Sequence, residues 1–180
     1  MVERETYNTA AYASLLNALQ EGGYAFSSFE HAPAVAHGVI MRHDVDKSLA
    51  AAEAMAAMEA ERGVLANYFF LLRSRMYNLA EPESAAIVSN IAGMGHAVGL
   101  HFDWGRVSQQ WDEARIDQAV LHEIDVTEQV LGMELDRAVT FHNPPRFLIN
   151  RSPQTEQYLS AYAPQFMMPQ TKYISDSNAF

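Results

Sequence analysis

Between Val39 and Asp46 the chain reads Val-Ile-Met-Arg-His-Asp-Val-Asp, and this stretch limits what the rest can fold into. It opens as the apolar run of a buried parallel strand, then sets Arg42, His43, Asp44 and Asp46 almost side by side. Side chains alternate along a strand, so Asp44 and Asp46 share one face and His43 takes the other. Two neighbouring carboxylates at a buried strand end repel each other and lose hydration; a cation beside them removes both penalties. The competing reading is a surface turn that caps a helix beginning near Ser48. No other stretch concentrates charge in this way on an apolar strand, which favours metal or acid–base chemistry.

The remaining pattern supplies strands and helices in alternation. Residues 9–19 read as a helix, with Asn8 or Thr9 as N-cap and Gly22-Gly23 as the stop. A polar loop follows, in which His31 and His37 are read as ordinary loop residues. A helix is expected over residues 48–62, closed by Gly63, and a buried strand over 64–72. Pro82 opens a further helix that ends at Gly93-Met94-Gly95. Residues 97–103 form a third strand, 110–131 a long helix, and 138–142 a fourth strand stopped by Asn143-Pro144-Pro145. A short helix over 155–162 and strand candidates at 166–168 and 172–175 complete the reading. No repeat or linker divides the chain, so residues 1–180 are expected to form a single α/β domain around a parallel sheet with right-handed crossovers. Polar residues gather at the strand ends: Asp44 and Asp46, His101 and Asp103, His142 and Asn143. In parallel α/β folds those ends form the active-site face.

Composition removes several classes. With no cysteine there is neither a disulfide nor a thiolate ligand nor a cysteine nucleophile, so a metal must be held by His, Asp or Glu. A formal charge of −10 argues against nucleic acid and anionic membranes as partners. No apolar run reaches the ~20 residues of a membrane span, and the N-terminus as it stands lacks a secretory signal; a cytoplasmic location is expected. There is no Gly-rich phosphate loop and no Gly-x-Ser-x-Gly elbow. Asp44 and Asp46 are too close for the paired carboxylates of a glycosidase. A centre of imidazole and carboxylate suits a divalent metal, zinc first, with cobalt, nickel, iron or manganese as the other candidates.

Three segments resemble the polysaccharide deacetylase superfamily (carbohydrate esterase family four), in a divergent branch. Arg42-His43-Asp44-Val45-Asp46 resembles its first motif, and Gly95-His96-Ala97-Val98-Gly99-Leu100-His101 is similar to its second, Gly-His-Glu-Ile-Gly-x-His. Phe141-His142-Asn143-Pro144-Pro145 stands where the family has an Arg/His-x-Pro segment. The likeness runs from about residue 39 to 145, with a fainter trace at 173–178. It implies a distorted (β/α) barrel and metal-dependent removal of an N- or O-acetyl group from a sugar, a small-molecule or oligosaccharide substrate. On this resemblance Asp44 is the catalytic base, Asp46 a metal ligand and His101 the first metal histidine. Val45 separates aspartates that the family has adjacent, which leaves the base and ligand roles open to exchange.

Two departures bear on the mechanism. The position four residues after His101, where the family has its second metal histidine, is Gly105; Asp103, His142 or water is left to complete the coordination. No histidine follows His142 to supply the family's Leu-x-His acid, so His142 is nominated as the catalytic acid. Arg42, Asp103 and Asn143 are expected to orient substrate. A full barrel generally needs 200 residues or more, so a short, open or C-terminally truncated one is expected. The alternatives are a non-catalytic sugar- or metal-binding domain of the same type and another metal-dependent hydrolase, such as an amidohydrolase.

Overall fold

The computed structural model describes residues 8–32, 37–106 and 112–167, with 172 and 174. Its centre is a five-stranded, all-parallel sheet in the sequential order β3-β4-β5-β6-β7: Met41–Val45, Ala66–Phe70, Ala97–Asp103, Ala138–His142 and Leu159–Ser160. A separate parallel pair, β1 (Ala25–Phe26) and β2 (Gly38–Val39), precedes it. Helices α2 (Leu49–Ala60), α3 (Pro82–Gly93) and α4 (Glu113–Leu131) connect successive strands of the main sheet, behind α1 (Thr9–Glu21) and ahead of the short α5 (Pro164–Met167). Sequential parallel order is the winding of a barrel wall, but closure is not seen among the described strands. Among the described residues no helix is long and apolar enough to cross a membrane.

Local chemistry sets the helix ends. Asn8, Ser48 and Asp112 each accept a backbone N–H three residues on, from Ala11, Ala51 and Arg115, so each fills the N-cap role. Pro82 begins α3, where a missing N–H costs nothing. Gly132 ends α4 at φ 66°, a left-handed turn that a residue with a Cβ resists.

Alternation sorts the sheet into two faces. Tyr68 and Phe70 of β4 and Val98 of β5 pack with Ala52 and Ala56 of α2 and Val88 and Ile91 of α3. Leu100, Phe102, Val139 and Phe141 continue that face against Ile116 and Val120 of α4. The residues between them in sequence therefore line the opposite face: Arg42 and Asp44, Asn67 and Phe69, Gly99 and His101, Thr140 and His142. Asn67 is buried there and ties the chain before the sheet to it. Its Oδ1 accepts from Phe29 N–H at 3.2 Å, and its Nδ2 donates to the carbonyls of Met41 (2.9 Å) and Ser27 (3.2 Å).

Gly99 allows that face to close up. A Cβ added there would lie 2.5 Å from the Ala138 carbonyl oxygen and 2.7 Å from the Phe69 ring, so backbone would have to move. Gly99→Ala is expected to cost about 1–3 kcal/mol, read as a lower urea midpoint at unchanged m. An unmoved midpoint would contradict the close approach.

Several boundaries differ from the sequence reading. The stretch from Val39 to Asp46 is not one strand: Val39 pairs with Phe26, and the main-sheet strand begins at Met41. The strand expected over 64–72 spans Ala66–Phe70; of the helix expected over 110–131, 110 and 111 lie outside the described residues and the helix runs Glu113–Leu131 with Asp112 as its cap. No helix forms over 155–162. Arg151 Nη2 (2.9 Å), Tyr158 OH (2.5 Å) and Gln154 N–H (2.8 Å) all bond Asp117 of α4, which draws out the segment and sets Leu159–Ser160 against β6. Phe166 and Met167 lie in a helical turn rather than a strand. Met168, and the 172–175 candidate apart from 172 and 174, lie outside the described residues.

Candidate metal centre

The parallel register brings three strand ends together. His101 lies beside Thr140, and Asp103 beside His142, on neighbouring strands β5 and β6. Asp46 follows the last residue of β3, two strands from His101. Its Oδ1 lies 3.3 Å from His101 Nε2 and 3.2 Å from His142 Nδ1, and those two nitrogens are 3.3 Å apart. Among the described residues this is the group of three ligand-type side chains close enough to share one ion.

The triad is supported from behind. His101 is 1% exposed, and its Nδ1 meets Thr140 Oγ1 at 2.7 Å, which fixes the ring with Nε2 toward Asp46. Asn143, in a left-handed conformation at φ 49°, places Nδ2 2.9 Å from His142 Nε2. Ser74, in the loop after β4, donates to the Asp46 carbonyl at 3.3 Å. The two histidines, His101 foremost, hold the Asp46 carboxyl below its ordinary range against the opposing effect of burial.

Asp44 stands at the edge of this group, its Oδ2 3.9 Å from His101 Nε2. Arg42 grips it as a fork, Nε to Oδ1 at 2.9 Å and Nη2 to Oδ2 at 2.5 Å. The same Nη2 donates to Tyr162 OH at 2.5 Å, and the guanidinium carbon lies 4.6 Å from the centre of that ring. Burial works against the Arg42 charge, but Asp44 and then Tyr162 more than offset it, so the guanidinium is held firmly protonated.

Of the residues expected from the sequence, Asp44, Asp46, His101, His142, Arg42 and Asn143 are linked in one set of contacts. Asp103 is at the same rim but outside the triad, where its Oδ1 accepts Gly105 N–H at 3.1 Å. The second imidazole comes from β6, not from the position of Gly105. His96 is structural: Nδ1 accepts from Ala66 N–H and Nε2 donates to the Ala56 carbonyl. Thr140 and Tyr162 were missed. Thr140 could have been found two residues before His142, on the same face of the same strand, but Tyr162 carries no such local signal.

The donor set fits a divalent cation. Asp46 Oδ1 is buried with no hydrogen-bond partner, its contacts to the two imidazoles being close but not aligned as hydrogen bonds. The three ligand-type atoms converge to 3.2–3.3 Å of one another, a spacing at which, unprotonated, they can share one positive centre. Ligands at ~2.0–2.1 Å from a four-coordinate ion are about 3.3 Å apart, the separation found here.

No known protein-family profile matches the chain, and no curated protein matches it in sequence. In three dimensions it is similar to a Streptococcus pyogenes deacetylase, PplD, solved in complex with acetate. The TM-score is 0.54 at 14% sequence identity, over 77% of this chain and 67% of that one. The mixed α/β fold with its parallel sheet is shared with that deacetylase.

Proposed function

We propose that this chain is a metal-dependent deacetylase that hydrolyses an acetyl group on an amino sugar or glycan precursor. The observation that carries this reading is the orphaned, buried Oδ1 of Asp46 between two imidazole nitrogens, at the rim of a fold shared with a deacetylase. Asp46 Oδ1, His101 Nε2 and His142 Nδ1 would hold a divalent ion, for which the donor set favours zinc. Such an ion, when bound, acidifies water and polarises an acyl oxygen.

The chain's own residues then have separate tasks. Asp44, oriented by Arg42, accepts the proton of the attacking water. With Nδ1 directed at such an ion, His142 would carry its ring proton on Nε2, and the Asn143 side-chain amide 2.9 Å away would have to accept it through its oxygen. In that arrangement the one ring proton of His142 would be engaged by Asn143 and its one lone pair directed at the ion, so return of the proton to the leaving amine falls to Asp44. Arg42 in turn is held by Tyr162, whose hydroxyl and ring fix the angle at which the fork meets Asp44.

The test is acetate release from a panel of acetylated sugars by zinc-loaded protein. Asp44→Asn keeps the shape of the side chain and removes the base; kcat is expected to fall about 100-fold or more with metal content unchanged. Bound zinc with no acetate released from any substrate would replace the deacetylase reading with that of a binding domain.

A further inference from the structure

Asp46 leaves the sheet where the ladder between β3 and β4 ends, and one side chain supplies the rung beyond it. Val45, the last residue of β3, lies beside Phe70, the last of β4. The next backbone groups, the Val45 carbonyl and the Leu71 N–H, both turn to the Tyr77 hydroxyl. It donates to the carbonyl at 2.6 Å and accepts from the N–H at 2.9 Å. Val45 and Leu71 are each 6% exposed, so without the hydroxyl neither backbone group has solvent to turn to. Burial pushes the Tyr77 hydroxyl well above its ordinary range; the Leu71 N–H opposes this and the Asp46 charge adds to it, so the group stays a donor.

Tyr77 is itself held in place. Its ring packs against the core that includes Val45, Phe70 and Leu79. Arg73 and Asn78 pair as an antiparallel bridge at the base of the loop, and Arg73 donates to Glu123 of α4 at 2.6 Å. From the same loop, Ser74 donates to the Asp46 carbonyl at 3.3 Å. The loop between β4 and α3 therefore grips the carbonyls on both sides of the Asp46 Cα. That grip matters because Asp46 Oδ1 has no hydrogen-bond partner to orient it. Its direction depends on where the backbone sets the Cβ.

We infer that Tyr77 is a positioning residue for the metal ligand Asp46, its hydroxyl fixing the end of β3 and with it the distance of Oδ1 from His101 and His142. Loss of the hydroxyl leaves two buried backbone groups that must close on each other or admit water, and either shifts the peptide that leads into Asp46. A metal site tolerates only about 0.2 Å of error in its ligand distances. The inference rests on the metal reading of the triad for its effect on an ion, but not for the placement of Asp46.

The experiment compares Tyr77→Phe, which keeps the ring, with Tyr158→Phe, which removes a buried hydroxyl bonded to Asp117 at 2.5 Å, outside the triad. Zinc dissociation constants are measured by competition with a chromophoric chelator. Ring signals of His101 and His142 are followed by NMR in the metal-free proteins, because Asp46 Oδ1 lies 3.3 and 3.2 Å from their nitrogens. Tyr77→Phe is expected to raise the zinc dissociation constant about 10–100-fold and to shift both ring signals. Tyr158→Phe should change neither. Wild-type zinc affinity in Tyr77→Phe, unmoved ring signals, or an equal loss of affinity in both variants would overturn the inference. A wild type that binds no zinc, with ring signals moved by Tyr77→Phe alone, would overturn the metal reading and leave Tyr77 as the residue that places Asp46.

Discussion

His101→Gln is expected to abolish stoichiometric metal binding, and Asp46→Asn to do the same from the other side of the triad. Dialysed wild-type protein should retain close to one divalent ion per chain by elemental analysis. The expectation follows from the convergence of Asp46 Oδ1, His101 Nε2 and His142 Nδ1 to 3.2–3.3 Å of one another, the spacing of ligands around one ion. Because only the folded chain brings the three together, a bound ion stabilises the fold, by about 2.7 kcal/mol at an ion concentration 100 times the dissociation constant. For a chain of this size that corresponds to roughly 5–10 °C in Tm. A chelator should therefore lower the Tm of the wild type and leave that of His101→Gln unmoved, a difference that a mere packing defect would not produce. Thr140→Val tests the support of the His101 ring: a group that orients a ligand is worth about 10–100-fold in metal affinity. Full metal content in both His101→Gln and Asp46→Asn would sink the site.

How far the sequence foretold this centre depends on the range of each signal. Asp44 and Asp46 stood out because strand alternation is local: two residues apart on an apolar run are on one face without knowledge of the fold. His101 and His142 required one further step, that parallel strands end on one rim, and that step relies only on the alternation of strands and helices. The pairing of Arg42 with Asp44 is equally local, since both sit on that face of β3. Tyr162 reaches Arg42 from 120 positions away in sequence. Its place is set by β7, a two-residue strand too short to leave a periodicity. The same shortness explains the helix expected over 155–162: its propensity was overruled by Asp117, a carboxylate on α4 that gathers three donors from that segment. Asp103 shows the converse limit. Alternation put it on the face of His101, but a polar residue at a strand end can serve a turn as well as a metal, and Gly105 N–H takes its Oδ1.

The other face of β3 holds the second large effect, at a residue no local pattern singles out. Glu59 of α2 is 0% exposed and accepts from Tyr12 of α1, from His43 of β3 (Nε2 at 2.7 Å) and from Tyr68 of β4 (2.5 Å). The His96 ring lies a further 5.3 Å beyond that of Tyr68. Burial pushes the Glu59 carboxyl up, and the donors, His43 first, then Tyr12 and Tyr68, pull it down further, so its pKa is net lowered. Tyr12 and Tyr68 are correspondingly raised, by burial first and then by Glu59. A folded pKa below the unfolded one means that the unfolded chain binds the proton more readily. The carboxylate's contribution to stability is therefore complete above the ordinary glutamate value of about 4.3 and disappears as the pH falls through the lower, folded value. Glu59→Gln puts an amide N–H₂ among donors that need an acceptor, and it is expected to cost about 2–4 kcal/mol at pH 7. Tyr12→Phe, which removes one donor of the set, should cost about 1 kcal/mol. In urea titrations from pH 8 to pH 3 the gap between wild type and Glu59→Gln should stay constant down to about pH 5 and narrow below pH 4. A gap that persists unchanged at pH 3 would show that Glu59 acts through its shape and not its charge. A gap near zero at pH 7 would remove it as the point where α1, α2 and the strand carrying Asp44 are joined.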